Sequence, residues 1–297
     1  MFRIMNALME YPENFTIDIT GPIDSIVDWI GETFRGLLDA FVVFFTFVLD
    51  NVQFFLQIVP WWVYILVVGI VGWRLYKWPT GLGLGALVLA IGLLGYWEGT
   101  IYTLTIILVS VMISFIVGLP LGILMAKFNK FEMVLKPILD MMQTLPSFVY
   151  LIPALMLFNT FGRVPAVVAT TIYALPPLIR LTYLGIKNVD EQVVEAGMSF
   201  GSTPMQMLFK IQLPQAMSTI AAGVNQTTMM AVAMVVIASM IGARGVGNDV
   251  LRAIQQLDVG TGFAAGFAIV FLAIILDRLL QGIANRLDMT TQEGGDV

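Results

Sequence analysis

KNVDEQVVEAGMSFGSTPMQMLFKIQLPQ, Lys187–Gln215, separates two long apolar stretches and is not a random polar connector. Asn188 or Asp190 can accept a hydrogen bond from the first free amides of a helix. Asp190, Glu191 and Glu195 lie where the positive end of its dipole favours acid. Gly201 can take the left-handed conformation that ends such a helix. Ser202 or Thr203 can cap a second one, with Pro204 at its first position, where a missing N–H costs nothing. Lys210 suits the negative end of that second helix, and Pro214 is expected to stop it and turn the chain into the next apolar stretch. The reading is helix, glycine turn, helix. Val193, Val194, Met198, Phe200, Met205, Leu208 and Phe209 are expected to stay exposed on the pair. It should therefore dock on something, either its own bundle or a soluble partner.

Working outward, the chain is 58% hydrophobic and only 12% charged, against about 25% charged in soluble domains. A bilayer is the natural solvent for such a composition. A crossing helix needs ~20 mostly apolar residues, and about seven stretches qualify: Pro60–Tyr76, Gly81–Trp97, Thr100–Ala126, Pro137–Asn159, Val164–Ile186, Gln215–Ile241 and Thr261–Asn285. An all-α membrane protein is expected. Gly81 with Gly85, Gly118 with Gly122, and Gly262 with Gly266 offer close helix approach inside these stretches, and ordinary packing explains them. Pro120, Pro146, Pro153, Pro176 and Pro177 should kink their helices.

Lys and Arg near the ends set the orientation. Arg74, Lys77, Lys127, Lys130, Lys136, Lys187, Lys210 and Arg286 fall on one side, which is expected to be cytoplasmic. The N-terminus is then outside and the C-terminus inside. Residues 1–59 read as an acidic extracytoplasmic tail carrying Glu10, Glu13, Asp18, Asp24, Asp28, Glu32, Asp39 and Asp50. Within it, FVVFFTFVLDNVQFFLQIV (Phe41–Val59) is interrupted by Asp50, Asn51, Gln53 and Gln57, so it is expected to lie in the outer interface as an amphipathic helix. Residues 60–286 form the membrane domain, and 287–297 are expected to be disordered. The start shows no cleavable leader, so the first crossing helix should be its own insertion signal.

The chemical inventory is narrow. With no His and no Cys, the usual ligands of zinc, haem and iron–sulfur clusters and the usual general base are missing, so no metal site is expected. Asp140, Arg180, Asp277 and Arg278 fall within about two turns of a cytoplasmic end, none convincingly at the midplane. No basic stripe points to nucleic acid. No G-x-x-x-x-G-K-[ST] loop occurs, so nucleotide binding is expected elsewhere.

Glu195-Ala196-Gly197, then Gly201, then Ile211-x-Leu213-Pro214 resembles the E-A-A…G…I-x-L-P loop of ABC importer permeases, departing from it only at Gly197, where the family usually has Ala. DMMQTLPSFVYLIPALMLF (Asp140–Phe158), YALPPLIRLTYLGI (Tyr173–Ile186), GVNQTTMMAVAMVVIASMIG (Gly223–Gly242) and AIILDRLLQ (Ala273–Gln281) extend the similarity, over roughly residues 60–285, to the permease subunit of glycine betaine/proline-type osmoprotectant importers. The resemblance implies a type I ABC importer fold in a bacterial inner membrane. It implies a non-catalytic permease dimer, two cytoplasmic ATPase subunits that bind ATP and Mg, and a separate extracytoplasmic solute-binding protein. Lys187–Gln215 would be the coupling loop, with Glu195, Ala196, Gly197 and Gly201 seated in the ATPase and Ile211, Leu213 and Pro214 closing it. Gly197 should loosen the first helix by up to ~1 kcal/mol.

In such a protein, Asn225, Gln226, Thr228, Gln143, Ser147 and Tyr150 could line a path for a compatible solute: glycine betaine, proline, choline, carnitine or trimethylamine oxide. Tyr150, Phe148 and Tyr173 offer aromatic faces to a quaternary ammonium. Inter-helix hydrogen bonding is the competing role for the polar residues. GARGVGNDVLRAIQQLDVG, with Arg244, Asn248, Asp249, Arg252 and Asp258, could fold as a short outer helix meeting the binding protein or as a plain connector. The alternative function is an ion-coupled secondary transporter of a small zwitterion, which would more often carry a midplane carboxylate.

Overall fold

The structure, a computed structural model, describes residues 20–158 and 160–293, with side chains described as far as Leu287. Glu10, Glu13 and Asp18 lie outside the described residues. Every regular element among the described residues is helical. In order they are α1 (Thr20–Thr33), α2 (Arg35–Ile58), α3 (Trp61–Leu75), α4 (Trp78–Leu93), α5 (Trp97–Lys127), α6 (Asn129–Thr144), a 3-10 turn (Ser147–Tyr150), α7 (Leu151–Phe158), α8 (Arg163–Lys187), α9 (Glu191–Ser199), α10 (Leu213–Ala238), α11 (Val246–Gln256) and α12 (Val259–Glu293).

The helix α8 is the axis of the fold, packed between α5 and α10. Small residues make both crossings close. A Cβ at Gly122 of α5 would stand 2.5 Å from Thr182 Cβ and 2.8 Å from the Ile179 carbonyl of α8. Gly185 of α8 faces Ala216 and Thr219, and Gly223 of α10 faces Leu178 and Leu181. Gly81 sits against the backbone of Gly69 and Trp73 where α3 meets α4. Of the Gly262–Gly266 pair, only Gly262 meets a neighbour, Ala253; Gly266 faces open space. The expected packing role therefore holds for Gly81, Gly85, Gly118, Gly122 and Gly262.

Among the described residues, α2, α5, α8, the helix running over Pro204–Ile241, and α12 are long and apolar enough to cross a membrane. The 15 and 16 residues of α3 and α4 are shorter, about 22–24 Å at 1.5 Å per residue. They still join the two ends of the bundle. Near the start of α3, Tyr64 packs its ring on Trp97, 5.2 Å between centroids. Past its end, the Tyr76 hydroxyl donates to the Arg278 carbonyl and Arg286 donates to the Arg74 carbonyl.

Three expectations are corrected. The kink expected at Pro146 in Pro137–Asn159 is a break: α6 and Ser147–Phe158 are bent by 110°. The cause is local. Pro146 lacks the N–H that would continue the helix and forces Leu145 into extended backbone, φ −65° and ψ 136°. Pro214 does not end the second helix of the Lys187–Gln215 segment. The turn Pro204–Gln206 runs through a π-helical stretch, Met207–Gln212, straight into α10. The wider i→i+5 spacing accommodates a proline that cannot donate. Finally, α12 continues as helix to Glu293 rather than ending at Arg286, since no glycine or proline occurs in LDMTTQE.

The position of α2 is set by its partners. Phe41 stacks on Phe158, 5.6 Å between centroids. Asp50 and Gln53 accept from Arg163 at 2.6 and 2.8 Å. The Leu56 carbonyl accepts from Tyr64 at 2.6 Å. Phe158, Arg163 and the Tyr64–Trp97 pair all lie at helix ends on the same side of the bundle. Ties between Gly162 and Ile241, Thr103 and Val246, and Tyr96 and Thr261 gather the remaining ends on that side.

Candidate functional site

The helix α9 is built as its sequence dictates. Asp190 caps it, accepting from the Gln192 amide at 2.8 Å. Gly201 stops it at φ +77°, in the left-handed region, with the Gly201 amide on Met198 O and the Ser202 amide on Gly197 O at 2.9 and 3.1 Å. Thr203 and Gln206 then form a reciprocal capping box that starts the next helix.

The motif residues divide into two groups. Glu195, Ala196, Gly201 and Pro214 are exposed. Gly197 is buried: a Cβ there would come within 2.6 Å of Ile211 Cδ1 and 2.7 Å of Met207 Cε. The glycine lets α9 lie down on the first turn of the following helix, and Ile211 is the surface it lies on. Leu213 packs with Leu178, Ile186, Leu208, Ala216 and Ile220 in a core joining α8 to α10. Ile211 and Leu213 thus hold the hairpin to its root, while Glu195 and Ala196 face away from it.

The exposed apolar set is smaller than expected. Met198, Phe200, Met205 and Phe209 remain exposed, Phe200 at 91%. Val193 and Val194 are half-buried and Leu208 is buried. Val194 and Leu208 turn toward a cavity of about 480 Å³ that Lys127 and Lys187 also line. Helical periodicity marks an apolar face but does not say which part of it the parent bundle covers.

The polar residues proposed for the membrane interior have the following partners. Asn225 donates to Asp277 of α12 at 2.8 Å, and Gln281 donates to the same oxygen at 2.8 Å. Thr228 donates to the Val224 carbonyl of its own helix. Gln226 and Gln143 are exposed and Ser147 is half-buried. The turn Ser147–Tyr150 packs on both α8 and α10. Tyr150 donates to the Met142 carbonyl and meets Tyr173 edge-on at 5.9 Å. Asn225 thus bonds across helices, and Tyr150 sits in an aromatic pair. Asp277 was visible in the sequence as an ionisable group in an apolar stretch, but its partner Asn225 is 52 residues away. At the other end, α11 is a helix, with the Val246 amide on Thr103 Oγ1 at 3.0 Å. Asp258 caps α12 through Thr261.

Comparison with known proteins agrees with this architecture. Residues 118–289, from within α5 through most of α12, match the family described as binding-protein-dependent transport system inner membrane component. The chain is 46% identical over 270 residues to the glycine betaine/proline betaine transport system permease protein ProW of Escherichia coli, covering 89% of this chain and 75% of that protein. It is 48% identical over 275 residues to the glycine betaine/carnitine transport permease protein GbuB of Listeria monocytogenes, covering 91% and 97%. The fold matches an inward-facing structure of the MetNI methionine ABC transporter with a TM-score of 0.58, at 21% identity over 63% of this chain and 93% of that one. A family match over more than half of the sequence, near-half identity along nine-tenths of it and a shared fold lead to one conclusion: this multi-pass chain belongs to the inner-membrane permease components of binding-protein-dependent ABC importers.

Proposed function

We propose that the chain forms the translocation pathway of an ATP-driven importer of a betaine-type compatible solute, and that α9 with Gly201 is the lever through which a separate ATPase drives it. The observation that carries this reading is the construction of the hairpin. Gly197, Ile211 and Leu213 bind it to the bundle, while Glu195, Ala196, Met198 and Phe200 stand free on its far face. An apolar, partly acidic face at the basic end of a membrane bundle suits a soluble partner. ATP and Mg belong on that partner, a second copy of this chain completes the pathway, and an extracytoplasmic receptor delivers the solute. The relatives' names support glycine betaine as the first solute to test, with proline betaine, carnitine, choline and trimethylamine N-oxide beside it.

Orientation follows from the basic residues: Arg74, Lys127, Lys187 and Arg286 lie on the cytoplasmic side. Together, α1 and α2 form an outer collar. Contacts of α2 with helix ends on one side, from Phe41 to Leu56, support its lying across the outer surface rather than through it. The test is reconstitution of the chain with its cognate ATPase and solute-binding protein in proteoliposomes, with ATP hydrolysis measured against each solute. Stimulation by at least one betaine through the receptor is expected. Uptake by the chain alone, driven by an ion gradient, would refute the assignment.

A further inference from the structure

We infer that Glu132, Lys136, Tyr183 and Lys187 form a clasp that makes α6 and the inner end of α8 one rigid body, carrying the movement of α9 to the Ser147–Tyr150 turn. The inference rests on the coupling role proposed for α9 and adds the residues through which that role reaches the membrane interior.

Glu132 of α6 collects donors from two helices. Lys136 Nζ lies 2.6 Å from its Oε1, the Tyr183 hydroxyl donates to the same oxygen at 2.7 Å, and Lys187 Nζ stands 3.6 Å from Oε2. The two ammonium groups also flank the Tyr183 ring, 5.0 and 5.9 Å from its centroid. The Glu132 side chain is only 18% exposed, against 50% and 45% for Lys136 and Lys187.

Beneath this network Met125, Leu139, Ile179 and Tyr183 form a small buried core. Farther along, Asp140 pairs with Arg180. The ties at 132 and 140 are eight residues apart, about 12 Å along α6, which resists both sliding and rotation on α8. An exposed ion pair alone would add little stability. A carboxylate shared by three donors from two helices fixes register instead.

What the clasp joins gives it a role. Lys187 is the last residue of α8 and stands three positions before Asp190, the cap of α9. At the other end, Met142 of α6 accepts from the Tyr150 hydroxyl, and Tyr150 packs on Tyr173. Lys187 joins α9 through the chain itself, and from Lys187 the contacts run through Tyr183, Glu132 and α6 to Tyr150. Contiguous packing of this kind can carry coupling between distant sites. Glu132 and Tyr183 are positioning residues here and touch no solute in this account.

The test uses the chain with its ATPase and solute-binding protein in proteoliposomes, with labelled glycine betaine as the solute. In Glu132→Gln and Tyr183→Phe, ATPase docking and receptor-stimulated hydrolysis should stay near the starting value, while glycine betaine moved per ATP falls about 3- to 10-fold. The protein has no cysteine, so Glu132→Cys/Lys187→Cys can be bridged with a short bifunctional thiol reagent, and bridging should restore the ratio. An unchanged ratio in both single variants overturns the inference, as does loss of the remaining uptake on bridging, which would mean that α6 and α8 must part. Loss of assembly in Tyr183→Phe, where only a hydroxyl is removed, would assign the cluster to stability and overturn it equally. Failure of the coupling role itself looks different: Gly201→Pro would then leave both uptake and stimulated hydrolysis intact.

Discussion

Replacement of Gly201 isolates the backbone contribution of the coupling turn. Its φ of +77° lies in the left-handed region, and no atom stands within 4 Å of where a Cβ would be. A side chain added here meets nothing within the chain itself, so the cost inside the hairpin comes from the backbone alone. For an ordinary L-residue that cost is about 1–2 kcal/mol, and it is smaller for Asn, whose side chain tolerates this conformation. If the docked hairpin requires this turn, the competent fraction falls by up to about 5- to 30-fold in Gly201→Ala, and the apparent affinity for the ATPase falls with it. Gly201→Asn should lose less, and Gly201→Val more than Ala, because β-branched residues fit positive φ worst. Binding of the purified ATPase to nanodisc-embedded variants, read by a surface or fluorescence method, gives the series directly. The order Gly, Asn, Ala, Val is the prediction. Equal affinities across the four variants, or Asn as poor as Val, would refute the reasoning.

Other perturbations follow from the same geometry. Gly122→Ala pushes a Cβ to 2.5 Å from Thr182 Cβ and 2.8 Å from the Ile179 carbonyl. Neither atom is the free end of a side chain, so α5 and α8 must separate, and a loss of about 1–3 kcal/mol should appear as a lower melting temperature. Gly197→Ala meets Ile211 Cδ1 and the Met207 Cε and Sδ atoms, all in flexible side chains able to swing away, and it gains up to about 1 kcal/mol of helix propensity. Its transport activity should match that of the starting protein, whereas Gly197→Val should lose it. Asp277→Ala leaves the amides of Asn225 and Gln281 without their shared acceptor. A cost of about 1–3 kcal/mol is expected in thermal stability, with Asp277→Asn intermediate. Arg163→Ala should release α2 from its two hydrogen bonds, seen as faster proteolysis near Asp50 with little change in the melting of the bundle.

The membrane character and the cap–helix–glycine–cap order of residues 187–206 were both legible in the amino-acid sequence. Each depends on composition or on neighbours within a few positions. The Asp190 cap, the left-handed Gly201 and the Thr203 cap need only their own hydrogen bonds, so local chemistry determines them. The E-A-A…G…I-x-L-P spacing likewise pointed to the family, because its parts lie within 20 residues of one another.

Other features were set at longer range. Whether Pro214 would break a helix depended on the chain upstream, where Met207–Gln212 is π-helical and Leu208 packs with Leu213 in the core between α8 and α10. The 110° bend at Leu145–Pro146 was signalled by a proline, yet four other prolines carry the same signal without such a bend. Asn225 meets Asp277 only because α12 is brought to it across 52 positions. Glu132 is 51 positions from Tyr183, and its sequence neighbours give no hint of the meeting. The sequence by itself determined what each segment could form and which solvent it needed. Tertiary structure alone decided which polar groups meet, because a buried donor takes whichever acceptor the packing brings to it, and the closeness of that packing is set by glycines far away in the chain.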